Sequence, residues 1–282
     1  AHSPDPDDAF MWWPLIDIDG GGPSIDVGEY EFQLITKDIE QLNCESERGS
    51  YDITAMSIAH YPSVASQYVL TACGASLGDG YGPKIVASEK VELNDLLLNK
   101  PNFAVPGERT SALAALRILA DQRPLEWCSI DFAEIMNEVK LKRFDAGVVI
   151  HEGQLTYEQH GLFEICDLGK WWKEETSLPL PLGGNAVKRD IETRFGDGAV
   201  EQISTLLLNS IEYALSHREQ ALNWAIQWGR GIDIACTDTF VDMYVNKWTL
   251  DFGDVGKRAV QEFLSRGSKV GAISKLDEIV MI

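Results

Sequence analysis

The stretch Asp145-Ala146-Gly147-Val148-Val149-Ile150-His151-Glu152-Gly153-Gln154-Leu155-Thr156-Tyr157 is an apolar run of strand length that stops at a histidine and gives way to polar, turn-prone residues. In open α/β proteins ligands sit outside the carboxyl ends of the strands. A histidine at such an end is both accessible and held, and its unperturbed pKa lies nearest neutrality among side chains, which suits proton transfer. A surface-loop histidine is the competing reading, because a site needs more than one group.

Outward from this segment the chain alternates. Residues 31–35, 53–57, 102–105 and 146–150 read as strands, and 110–121 and 132–142 as helices. Strand–helix–strand alternation predicts an α/β protein with parallel sheets covered on both faces. The last third is helical: 200–215, then a helix opened by a Ser216/Glu219 capping box, then 233–248 and 254–266, the last stopped by Gly267. The glycine-rich stretch 74–83 reads either as a flexible loop or as a loop lining a cleft. The extended segment 177–184, stiffened by Pro179 and Pro181, and stretch 74–83 both read as interdomain crossings. They predict a larger discontinuous lobe, residues 1–84 with 182–282, and a smaller inserted α/β lobe, residues 85–181. Two lobes joined by two crossings predict a cleft that closes on a ligand.

Composition narrows the classes. The 282 residues carry a formal net charge of −20, which disfavours nucleic acid and anionic lipid as partners. No apolar run reaches membrane-spanning length, and the opening Ala1-His2-Ser3-Pro4-Asp5 is not a signal peptide. Five widely spaced cysteines without a Cys-x-x-Cys pair argue against a disulfide framework and a zinc site, and for a cytoplasmic protein.

Val105-Pro106-Gly107-Glu108-Arg109-Thr110-Ser111-Ala112-Leu113 reads as strand, glycine turn and helix start. The unpaired N–H groups of such a first turn favour an anion, with the Thr110 and Ser111 hydroxyls as further donors; simple N-capping is the alternative. If the strand before Ser111 and the strand before His151 are parallel, a carboxylate at Ser111 and a base at His151 face one crevice. Ser57 ends a strand of the other lobe and reads as a donor across the cleft or as an N-cap. His60 reads as packed. The carboxylates Asp5, Asp7 and Asp8 read as a turn capping a helix near Asp8 rather than as a hard-metal site. Trp171-Trp172 reads as the end of an amphipathic helix, packed where the lobes meet. No dinucleotide fingerprint, P-loop or nucleophile elbow is present.

Ser3-Pro4 with Asp8 and Phe10, Asp38-Ile39-Glu40 with Leu42-Asn43, the 74–83 loop, Val105-Pro106-Gly107 and Ile150-His151-Glu152 with Thr156-Tyr157 follow in order. Asp167-Leu168-Gly169 with Trp171-Trp172, Leu178-Pro179-Leu180-Pro181-Leu182-Gly183, Tyr213-Ala214-Leu215 and Tyr244-Val245-Asn246 complete the series. Together they resemble the 1,4-dihydroxy-6-naphthoate synthase family of the futalosine branch of menaquinone biosynthesis. The resemblance implies a two-lobed, periplasmic-binding-protein-like (type II) fold with C-terminal helices. It implies a carbon–carbon lyase that converts cyclic dehypoxanthine futalosine to 1,4-dihydroxy-6-naphthoate, with His151 as general base and no cofactor or metal. It implies a small-molecule carboxylate substrate contacted at Ala55, Met56 and Ser57 and at Ser111 and Ala112, next to Thr110. The sequence departs from the family at Asp5 and Asp7, where cysteine and asparagine are common, and at Ala55, where a basic residue can stand; the first strand before His2 is short or absent. A solute receptor with the same cleft and a chorismate dehydratase are the competing functions. His151-Glu152 followed by Thr156-Tyr157 speaks against the dehydratase.

Overall fold

The computed structural model describes residues 1–282 except Asp19, Arg230 and Asp277. Nine strands are present among the described residues: β1 (Ile53–Ser57), β2 (Tyr68–Leu70), β3 (Ser76–Gly78), β4 (Lys84–Ala87), β5 (Asn102–Val105), β6 (Glu126–Ser129), β7 (Ala146–Val149), β8 (Phe163–Asp167) and β9 (Leu180–Lys188). They form two sheets. The first is built around β9, which pairs with β1, β2 and β3; the second runs β6-β5-β7-β4-β8. The chain therefore passes from the first sheet to the second between β3 and β4, and returns between β8 and β9.

Three of the four expected strands form. Residues 31–35 do not: beside them lies an isolated bridge between His2 and Thr36, with His2 N–H to the Ile35 carbonyl (2.9 Å) and Lys37 N–H to the His2 carbonyl (3.1 Å). The apolar alternation there lays Phe32 and Leu34 against the helical core and reflects one-sided burial rather than pairing. The expectation of parallel sheets is also corrected. Every pairing to β9 is antiparallel, and in the second sheet only β5–β6 and β5–β7 are parallel. The segment 177–184 is extended, but from Leu180 onward it is the central strand of the first sheet. Pro181 lacks an N–H yet fits there, since that end of β9 meets only β3, across an irregularity in register.

Helices cover both sheets. One continuous core joins the sheets through Met56, Leu77, Ile85, Phe103, Val148 and Ala186. Trp172, in helix Leu168–Thr176, lies fully buried in it. Its indole N–H donates to the Pro179 carbonyl at 3.0 Å and its ring meets Phe263 edge-on at 5.6 Å. Burying a side chain of this size contributes about 2–3 kcal/mol. Both Trp171 and Trp172 sit within this helix rather than at its end. The glycine-rich loop is not slack: a Cβ on Gly169 would sit 1.8 Å from the Tyr81 carbonyl oxygen, and one on Gly78 2.0 Å from the same atom. Backbone is packed directly on backbone at the first crossing.

The C-terminal helices need three corrections. Helix Arg218–Ala225 has no side-chain cap; the Ser216 hydroxyl bonds the Tyr213 carbonyl instead (2.9 Å). Residues 233–248 divide into Ile234–Tyr244 and Lys247–Leu250, because Asn246 and Thr249 close a capping box that starts a new helix. Helix Gly253–Lys269 runs through Gly267, where a Cβ would meet Ile273 at 2.3 Å; that glycine admits the returning tail rather than ending the helix. No helix among the described residues is long and apolar enough to cross a membrane.

Candidate active site

β5 and β7 are parallel neighbours, so their carboxyl ends open on one edge. Beyond β5 the chain turns through Pro106 and Gly107 into helix Ser111–Ala120; beyond β7 it turns at His151. A Cβ on Gly107 would lie 2.3 Å from Glu40 Oε2, so this turn requires glycine. Glu40 accepts from the Arg109 N–H at 2.9 Å and from its guanidinium at 3.0 Å, which ties the turn to helix Ile39–Ser46. This edge faces the end of β1 and the middle of β9 across a cavity with about 700 Å³ of empty volume, part of it open to solvent. His151, Ala55, Met56, Ser57, Thr110, Ser111 and Ala112 all line it. Gly74, Ser76 and Pro83 of the glycine-rich loop line it too, so that loop borders the cleft.

His151 takes a left-handed backbone conformation (φ +52°). Its Nδ1 lies 3.0 Å from Asp5 Oδ2, and the two side chains are only 12% and 5% exposed. The Phe132 ring packs edge-on against the imidazole at 4.8 Å. Asp5 Oδ2 also accepts the Ser3 hydroxyl at 2.5 Å, while Asp8 Oδ2 lies 2.9 Å from the Ser3 N–H and 2.8 Å from its hydroxyl. The Ser3 hydroxyl is within hydrogen-bond distance of both carboxyls, and burial pushes the Asp8 carboxyl above its ordinary range. The capping role expected for these carboxylates is thereby corrected. Helix Pro6–Trp12 begins before Asp8, and Asp5, although at its N-cap position, makes no capping bond.

Asp7 is buried at the cavity wall. Its Oδ2 accepts from the Ser76 hydroxyl at 3.3 Å and its Oδ1 has no hydrogen-bond partner. Burial first, and then the charges of Asp8 and Asp5, push this carboxyl well above the usual range. Among the described residues no group of three or more His, Cys, Asp or Glu side chains is placed to hold a metal ion.

The two hydroxyls expected as anion donors are spent inside the protein. Thr110 Oγ1 donates to the Gly107 carbonyl at 2.8 Å and caps Leu113 N–H at 3.2 Å. Ser111 Oγ donates to the Leu182 carbonyl at 2.6 Å and accepts from Ala59 N–H at 3.1 Å, pinning the helix start to both β9 and the segment after β1. Ser111 and Ala112 line the cavity at this helix start, where the first-turn N–H groups have no acceptor within the helix. Ser57 does not cap a helix: its Oγ accepts from the Asn43 amide at 3.0 Å and its N–H donates to Asn43 Oδ1 at 2.9 Å, leaving the hydroxyl proton for the cavity. His60 is packed, at 3.2 Å from Ser46 Oγ, and burial lowers its pKa to about 4. Asn43 and the buried Tyr244–Gln154 hydrogen bond (2.7 Å), which lies at the cavity wall, were not singled out as site residues from sequence.

A family model described as "Menaquinone biosynthesis" matches residues 1–269. The chain belongs to the menaquinone biosynthesis family. As a member of it, the chain is 32% identical over 272 residues to a Thermus thermophilus protein named 1,4-dihydroxy-6-naphtoate synthase, covering 96% of this chain and 94% of the relative. It is 32% identical over 283 residues to a Streptomyces coelicolor protein of the same name, covering 98% and 94%. Among solved structures, a protein from Archaeoglobus fulgidus superposes with a TM-score of 0.86 at 33% identity, over 96% of this chain and 97% of that one. The ligand-binding component of an ABC-type import system from Staphylococcus aureus superposes with a TM-score of 0.70 at 12% identity, over 99% and 94%. This family member therefore has the α/β, periplasmic-binding-protein-like fold, completed by C-terminal helices.

Proposed function

We propose that this chain is a carbon–carbon lyase of the 1,4-dihydroxy-6-naphthoate synthase type, converting cyclic dehypoxanthine futalosine to 1,4-dihydroxy-6-naphthoate with His151 as general base. The observation that carries the reading is the buried His151–Asp5 pair lining the same cavity as the start of helix Ser111–Ala120. Asp5 engages Nδ1, so Nε2 is the nitrogen that takes the substrate proton, and the carboxylate stabilises the imidazolium as it forms. The Ser111 and Ala112 N–H groups and the helix dipole hold the substrate carboxylate. Ala55, Met56 and Ser57 bound the substrate on the other side, with the Ser57 hydroxyl as donor. Closure of the cleft over the substrate then excludes water and lets proton removal start bond cleavage without a cofactor.

The two sheets are the cores of two lobes, residues 1–84 with 182–282 and residues 85–181, and the cavity is the cleft between them. Five free thiols fit a reducing compartment, and the cytoplasm is the proposed location. The test is incubation with cyclic dehypoxanthine futalosine, following 1,4-dihydroxy-6-naphthoate by mass spectrometry, with His151→Ala alongside. Product from wild type alone, with binding kept in the variant, is expected. Near wild-type turnover by His151→Ala removes the base assignment.

A further inference from the structure

Three carboxyls within four positions, Asp5, Asp7 and Asp8, are buried at one end of the cavity, and their partners are unequal. Asp5 has His151 and Ser3, and Asp8 has the Ser3 N–H and hydroxyl. Asp7 has one long bond from Ser76 on Oδ2, and Oδ1 has none. The charged or titratable groups facing it are Asp5 and Asp8 from its own turn, His151 from the turn after β7, and Tyr244 from helix Ile234–Tyr244. His151 is already paired with Asp5. An ionised carboxylate helped only by its own backbone N–H and by an imidazole already paired with Asp5, beside two further carboxyls, is costlier than a protonated one. A neutral acid has one O–H to donate, and the protein offers Asp7 Oδ1 no acceptor. A buried polar group left unsatisfied costs about 1–3 kcal/mol; Asp7 lines the cavity with Oδ1 itself closed off from solvent, so a rotation of the carboxyl brings its O–H to a ligand.

We propose that Asp7 stands in this cavity as a neutral carboxylic acid whose Oδ1–H donates to an uncharged oxygen of the bound substrate, a carbonyl or phenolic oxygen. The Asp5 carboxylate acts directly on Asp7 and disfavours an anionic oxygen there, so the substrate carboxylate is assigned to the Ser111–Ala112 helix start and the neutral oxygen to Asp7. This assignment rests on the functional reading above. It makes Asp7 a binding residue that orients the ring system against His151.

The experiment pairs infrared difference spectroscopy with calorimetry. Wild type minus Asp7→Asn at pH 7 is expected to show the C=O stretch of a protonated carboxyl, shifting when 1,4-dihydroxy-6-naphthoate binds. Asp7→Asn keeps a neutral donor and is expected to bind the naphthoate within about threefold of wild type. Asp7→Leu has the same number of side-chain heavy atoms and no donor; it is expected to bind about 5- to 10-fold more weakly with no fall in thermal midpoint. A missing acid band overturns the inference, as does Asp7→Leu binding like wild type. If Asp7→Leu does not fold, a band that stays put in naphthoate-bound wild type overturns it equally. Wild-type protein that binds neither substrate nor naphthoate sinks the functional reading, and this inference with it.

Discussion

Replacing Asp5 separates charge from orientation in the His151 pair. At the 3.0 Å separation of Nδ1 and Oδ2, attraction between full charges at an effective dielectric of about 20 is about 5 kcal/mol. The proton is only partly transferred at the transition state, and the Ser3 hydroxyl already draws on the same oxygen at 2.5 Å. About half the attraction is thus at stake, or about 10²-fold in kcat. Asp5→Asn keeps an oxygen to accept from Nδ1–H and loses the charge, so kcat is expected to fall about 10²-fold with KM within about threefold. Asp5→Ala also frees the imidazole to turn, and a loss of about 10³-fold is expected. Steady-state kinetics on the futalosine substrate, with naphthoate affinity and thermal midpoints for both variants, make the test. Asp5→Asn with kcat within threefold of wild type would refute the pairing argument. A loss confined to KM would make Asp5 a binding residue.

Other expectations follow from the same geometry. Ser111→Ala keeps the backbone N–H groups and is expected to weaken carboxylate-ligand binding less than about fivefold, whereas Ser111→Asp sets like charge beside the substrate carboxylate and is expected to cost more than tenfold; equal affinities in calorimetry would remove this helix start from the site. Gly169→Ala forces a Cβ to 1.8 Å from the Tyr81 carbonyl oxygen, and a loss of about 3 kcal/mol or more is expected in denaturant unfolding. His60 has a folded pKa of about 4 against 6.5 unfolded. The unfolded chain therefore binds the proton first, and the stability from neutral His60 is present above pH 6.5 and lost as pH falls toward 4, up to about 3 kcal/mol. His60→Gln should flatten that part of the stability–pH curve, and an unchanged slope would show that other groups carry it.

Local patterns were readable where one segment carries its own signal. β5 and β7 are apolar runs of strand length ended by Pro106-Gly107 and by His151, and Ser111–Ala120 announces itself by spacing and by Thr110 as its cap. Pairing was not readable, because it depends on distant partners. β9 carries no alternation, holds Pro181 and two adjacent glycines, and still becomes the centre of the first sheet, because β1, β2 and β3 all need an antiparallel neighbour. Residues 31–35 show the converse, an alternating pattern that packs on helices without pairing.

The same division holds at the site. The strand-end residues that line the cavity were legible because each ends an element; Asp5 was missed as His151's partner because 146 positions separate the two. One local signal was available at the start of the chain. Asp7 and Asp8 lead into Ala9-Phe10-Met11-Trp12-Trp13, too apolar to leave an exposed face, and every residue of helix Pro6–Trp12 is buried. Carboxyls on a helix with no solvent face must be paired, protonated or turned toward a ligand. Asp5 is paired with His151, Asp8 is held by the Ser3 N–H and hydroxyl, and Asp7, whose Oδ1 has no protein partner, is the one assigned to the substrate.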